Sequence, residues 1–178
     1  MLIVFILIIG TPLIAFQLKH FLCDYIFQTE WMLGKFKTQG WGLPLAAHCG
    51  VHFLGTLLIS FSFLYFFNNF IERPLDLAFV GFASFKLGLF DFVIHFIMDR
   101  IKASPNLMGR WKPLTAEQWV YYKGRTECNN VVGYANRDEA LNKLKGNKLF
   151  WWAVGFDQMV HHLTHYVIIF WLICLSTK

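Results

Sequence analysis

The sequence predicts an all-α membrane protein, a four-transmembrane-helix bundle with a partly helical loop between helices 3 and 4. Three observations carry that expectation. Of its 178 residues 56% are apolar and 19% aromatic, with a mean hydropathy of +0.46, whereas a soluble domain holds roughly 45–50% apolar residues. The apolar residues gather in four stretches, over about residues 2–29, 43–70, 75–101 and 149–175, each long enough to cross a hydrocarbon layer ~30 Å thick. Each stretch also carries histidine or aspartate at four-residue spacing, which puts them on one helix face. One such bundle and the loop 102–148 use up the length, so residues 1–178 read as a single membrane domain.

The first stretch opens with Met1 to Leu18, almost wholly apolar and without a positive leading region. It therefore reads as a retained span and not a cleaved signal. Its helical pattern continues through Lys19, His20, Asp24 and Gln28, so the polar positions come late. Lys35 and Lys37 lie in a short turn between Trp31 and Trp41, aromatic residues suited to a membrane interface. In the second span the polar pair His48/His52 comes early, and Asn68-Asn69 with Glu72-Arg73-Pro74 marks the next turn. The third has Lys86 near its middle and Asp91, His95 and Asp99 late; the fourth has Asp157, His161 and His165 in its first half. In the loop, Asn136-Arg-Asp-Glu139 has capping-box spacing, and Ala140 to Lys145 before Gly146 reads as a short helix. A second short helix is expected to start at Thr115. Trp111, Trp119 and the basic residues suggest a cap over the polar site, against the plainer reading of a soluble, topology-anchoring loop. The four cysteines, Cys23, Cys49, Cys128 and Cys174, form no CxxC pair and read as unpaired packing residues.

Spans joined by short turns alternate in direction. Late, early, late and early along four such spans are all the same side, and chance would scatter the clusters between the two ends. Twelve basic residues fall on that side (Lys35, Lys37, Arg100, Lys102, Arg110, Lys112, Lys123, Arg125, Arg137, Lys143, Lys145, Lys148), against Arg73 and Lys178 on the other. This bias predicts that the polar site and the long loop are cytoplasmic and both termini outside.

An ionisable side chain in a span costs about 2.5–3.5 kcal/mol, so such groups face the bundle interior and mark a site. Imidazole and carboxylate are the ligand set of zinc, iron or manganese, and four-helix bundles build dinuclear sites from them. The expected metal ligands are His20, His48, His52, Asp91, His95, Asp157, His161 and His165, with His52, Asp91, His95, Asp157 and His161 deepest in register. Asp24 and Asp99 are left as spare carboxylates for general-base catalysis. Gln28, Lys86 and Gln158 are candidates for substrate contact, and His162, ~100° round the helix from His161, for an outer position. Against this stands the simpler reading, in which each Asp and His four apart satisfies its neighbour as a buried structural pair.

The motifs His20-x3-Asp24-x3-Gln28, His48-x3-His52, Asp91-x3-His95-x3-Asp99-Arg-Ile-Lys102 and Phe156-Asp-Gln-x2-His161, in this order, resemble a family of small bacterial and phage integral membrane proteins known only as a domain of unknown function. Asp99 to Pro105 and Asp157 to Tyr166 look like its phage-encoded members, while the long loop departs from the compact bacterial pattern. The resemblance implies a four-span inner-membrane protein and supplies no reaction. From the residues themselves, the leading expectation is a metal-dependent hydrolase holding one or two zinc ions, with iron or manganese as other candidates. It would act on a lipid or other amphipathic substrate at the inner leaflet. A di-iron lipid oxidase, a proton or cation transporter and a phage-type membrane interaction protein are the rival readings. Membrane lipid is the expected partner, self-association as a homo-oligomer is left open, and no nucleic acid is expected.

Overall fold

Four long helices account for most of the chain. The computed structural model describes residues 2–68, 75–104, 107 and 148–176, and among these there is no strand. The helices are α1 (Leu2–Phe21), α2 (Gly42–Asn68), α3 (Leu77–Ala103) and α4 (Lys148–Ser176). The last three match the expected spans to within about two residues and are long and apolar enough to cross a membrane. The short helices expected near Thr115 and over 140–145, the turn through Glu72-Arg73-Pro74, and Cys128 lie outside the described residues. Cys23 and Cys49 are buried and free, as the absence of paired spacing led one to expect.

The first span departs from expectation at its end. Its α-helix closes at Phe21, widens into a π turn over Leu22–Ile26, and gives way to a 3-10 turn over Met32–Phe36. The Phe27 N–H donates to the Leu22 carbonyl, five residues back, at 2.8 Å. Periodicity cannot foresee this π turn, because no α-helix directly follows it whose rotated apolar face would reveal the extra residue. The turn falls where the chain carries Asp24, and from it Asp24 reaches α2 and α4.

The bundle is apolar outside and polar within at one end. Ile14, Leu18, Leu58, Phe82, Val93, Ile97, Met159 and Phe170 all point outward and are exposed. Such a surface is uncommon in water and ordinary in lipid. At the other end the interior is closed by Phe16, Phe63, Leu64, Val80, Ile168 and Leu172. Two glycines permit the close approach of helices on which the site depends. A Cβ on Gly88 would stand 3.1 Å from the Phe53 backbone oxygen, so α2 and α3 meet almost backbone to backbone. A Cβ on Gly55 would stand 2.9 Å from Cγ of Lys19, so the glycine makes room on α2 for that lysine's stem.

Candidate metal centre

All seven histidines of the chain gather where α1 and α3 end and α2 and α4 begin. Steps of four residues along each helix, about 6 Å apiece, set six of them and their partners in three levels, with His162 to one side. Nearest the bundle end are Asp24, His48, Asp99 and Asp157. His48 Nε2 lies 3.1 Å from Asp99 Oδ2 and 3.4 Å from Asp24 Oδ1. The middle level holds His20, His52, His95 and His161, with Gln158 beside them. Here the His95 ring stacks on His161 at 3.8 Å and lies at the same distance from His52. Deepest are Lys19, Thr56, Asp91 and His165, all 6% exposed or less. Beyond them come Ser60 and Ser84, and then the apolar plug.

Three lysines that the spacing argument left out supply the counter-charges. Lys19 Nζ donates to Asp91 Oδ2 and lies 3.2 Å from His52 Nδ1 and 3.4 Å from His165 Nε2. Lys35 Nζ donates to Asp99 Oδ2 at 2.7 Å. Lys102 Nζ bridges Asp157 Oδ2 at 2.6 Å and Asp99 Oδ1 at 3.1 Å. Lys35 and Lys102, counted above as orienting loop charges, are thus part of the interior. A signal for them was present: four aspartates in an apolar bundle demand cations, and Lys19 and Lys102 sit one and three residues from members of the motifs. Thr56, which donates to Asp91 Oδ2 at 2.6 Å, carried no such signal.

Four carboxylates face three ammonium groups, and the unmatched carboxylate is Asp24. Its partners are neutral or titratable: His52 Nε2 at 2.9 Å, His20 Nε2 at 3.3 Å, and Gln158 Nε2 at 3.4 Å. With the imidazoles neutral, the interior carries one negative charge more than positive, a setting that favours a cation.

Four sets of three side chains bring ligand atoms within 4.8 Å of one another: His20/His95/His165, His20/Asp24/His52, His52/Asp91/His95 and Asp99/Asp157/His161. Hydrogen-bond partners indicate which nitrogens are free to bind an ion. His20 Nε2 donates to Gln158 Oε1 at 2.8 Å, which leaves Nδ1 a lone pair, buried and without a partner. His95 Nδ1 donates to the Asp91 backbone oxygen at 3.1 Å, which leaves Nε2 in the same condition. His165 stands with them, its Nδ1 also unpartnered. A donor set of buried imidazoles from α1, α3 and α4, two of them oriented by oxygen acceptors behind the ring, fits zinc and similar divalent ions.

The expected residues thus meet, with some changes of place. Asp157, reckoned among the deepest, sits at the outer level, while His165 takes the deep one. Depth reckoned from span ends assumes that the helices start level, whereas contacts such as Lys102 Nζ to Asp157 Oδ2 put Asp157 beside the end of α3. His48 joins none of the four sets and bridges Asp24 and Asp99. His162 is half-buried, its ring 5.2 Å from that of His20. Gln158 is engaged with His20 and Asp24 within the cluster. Gln28 is half-buried just past the π turn, with no polar partner among the described residues. Lys86 is outside the site altogether: it is exposed, and its Nζ lies 4.2 Å over the Phe82 ring. It borders an apolar groove between α3 and α4 formed by Phe79, Ala83, Leu87 and Trp171. An isolated charge on a span need not face inward when an aromatic face and a long stem let it leave the apolar layer.

No known protein family, no curated protein and no solved structure matches this chain. The site is accordingly read from its own residues.

Proposed function

We propose that this chain is a metal-binding integral membrane protein, and that its centre hydrolyses a lipid or other amphipathic substrate. The observation that carries the reading is that His20, His95 and His165 bring ligand atoms within 4.8 Å of one another while each keeps a buried imidazole nitrogen without a partner. Each buried polar atom left unpaired costs about 1–3 kcal/mol, and a cation shared among them offsets that cost.

When bound, a zinc ion supplies Lewis acidity and brings the ionisation of water down to about pH 7. Asp24 is the residue placed to take up a proton. It is the carboxylate without a lysine, its side chain is 14% exposed, and Gln158 and His52 hold its two oxygens in position. Asp99, the other expected base, is engaged by Lys35 and Lys102 and serves charge balance. The cluster lies at one end of a bundle whose outer faces are apolar. An acyl chain can lie along those faces while its head group reaches Asp24. α1 acts as the fourth span, and the basic residues around the cluster end set that end in the cytoplasm.

A through-membrane ion path is the weaker alternative, because Phe16, Leu64, Val80 and Leu172 close the interior beyond Ser60 and Ser84. Elemental analysis of detergent-purified protein tests the metal reading. About one equivalent of zinc is expected in the wild type and almost none in His20→Ala/His95→Ala. Equal metal content in the two proteins after zinc loading refutes it, and iron in place of zinc moves the chemistry to lipid oxidation. Chelator-sensitive release of fatty acid from phospholipid in mixed micelles tests hydrolysis.

A further inference from the structure

The set Asp99, Asp157 and His161 differs from the histidine set in that a cation of the chain itself already sits there. Lys102 Nζ lies between the two carboxylates, 3.1 Å from Asp99 Oδ1 and 2.6 Å from Asp157 Oδ2. It leaves donor capacity unused. Asp157 Oδ1 is buried without a hydrogen-bond partner and lies 3.3 Å from His161 Nε2, which is 3.9 Å from Asp99 Oδ1; the Asp157 and His161 side chains are 2% and 1% exposed.

Lys102 also differs from the other two interior lysines. Its side chain is 24% exposed, whereas those of Lys19 and Lys35 are 3% exposed. It stands one residue before the end of α3, on a flexible four-carbon stem. It can therefore leave its carboxylates without opening the bundle. Lys35 stays on Asp99 Oδ2 when it does. With Lys102 in place, two carboxylates face two ammonium groups; with Lys102 swung out, one negative charge and two carboxylate-bearing side chains remain beside an imidazole. That donor set suits a divalent ion such as zinc, manganese or iron. The His95–His161 stack joins this position to the histidine set.

We propose that Asp99, Asp157 and His161 form a second divalent-cation seat, which the Lys102 ammonium group fills and vacates, so that Lys102 sets whether the centre holds one ion or two. The count of two rests on the metal reading above; the second seat itself does not.

The test is zinc per chain after saturation and desalting in detergent, for wild type, Lys102→Arg, Lys102→Met and Lys102→Met/Asp157→Asn. The expected values are about one, one, two and one. Two equivalents in the wild type, or no gain in Lys102→Met, overturns the proposal and leaves the histidine site standing. A wild type without zinc and a Lys102→Met variant with one equivalent sustains the proposal and overturns the histidine site. No zinc in any of the four overturns both. Should Lys102→Met fail to fold, amine acetylation of the wild type decides: with free zinc kept at a saturating level, before desalting lets Lys102 return to its seat, labelling of Lys102 is expected to rise several-fold, and unchanged labelling overturns the proposal.

Discussion

Replacing Lys19 by methionine probes how the interior holds together. The change keeps the stem beside Gly55 and removes the ammonium that serves Asp91, His52 and His165. Asp91, fully buried, keeps the Thr56 hydroxyl at 2.6 Å but loses its counter-charge. Removing one partner of a buried ion pair costs about 3–5 kcal/mol, because the other charge is left uncompensated. Methionine fills most of the vacated space, so little of the loss comes from a cavity. At about 2–4 °C per kcal/mol for a chain of this length, the unfolding midpoint falls by roughly 6–20 °C. The double variant Lys19→Met/Asp91→Asn removes the stranded charge and recovers most of the loss, to within about 1–2 kcal/mol of wild type. Thermal unfolding in detergent, followed by size-exclusion chromatography of the heated protein, measures both. A single variant within about 0.5 kcal/mol of wild type, or a double variant no more stable than the single, refutes charge compensation as what holds the deep level together.

Gly55→Ala places a methyl group against the Lys19 stem and is expected to destabilise by about 1–3 kcal/mol, a loss that Lys19→Met does not share and that the same assay resolves. Asp24→Asn is expected to retain fold and zinc while lowering turnover about 10²–10⁴-fold, the usual contribution of a general base; full activity in mixed micelles would remove Asp24 from that role. Lys86→Met is expected to leave zinc content, turnover and stability at or above wild-type values, since its nearest ring belongs to the outer surface; loss of zinc would return it to the site. Reporter fusions at either terminus are expected to be active outside the cytoplasm, and activity inside would reverse the assigned orientation.

The second, third and fourth helices were legible because their apolar runs end at polar, Gly- or Pro-containing turns. A span's length follows directly from where such a run stops. The gathering of histidines at one end was also legible, since alternation of direction converts late, early, late, early into one side. The π turn at Leu22–Ile26 was not, for it changes the hydrogen bonding of the helix without changing its composition. Nor were the lysine pairings. Lys35 lies in a 3-10 turn whose approach to α2, with Gly34 against Pro44, has no signature in residue type.

By itself, the order of residues determined which side chains share a helix face, where the long helices of the described residues run, and that aspartate and histidine would be buried together. Four-residue spacing sets the angle about each helix's own axis, and an apolar outer face disfavours short ionisable side chains such as aspartate and histidine. Only the tertiary structure decided which lysine meets which aspartate, that His165 lies deeper than Asp157, and which imidazole nitrogens lack a partner. Those outcomes turn on the axial offset and crossing of neighbouring helices. A shift of one turn, about 5.4 Å, exchanges every partner across an interface while leaving each helix's own pattern unchanged.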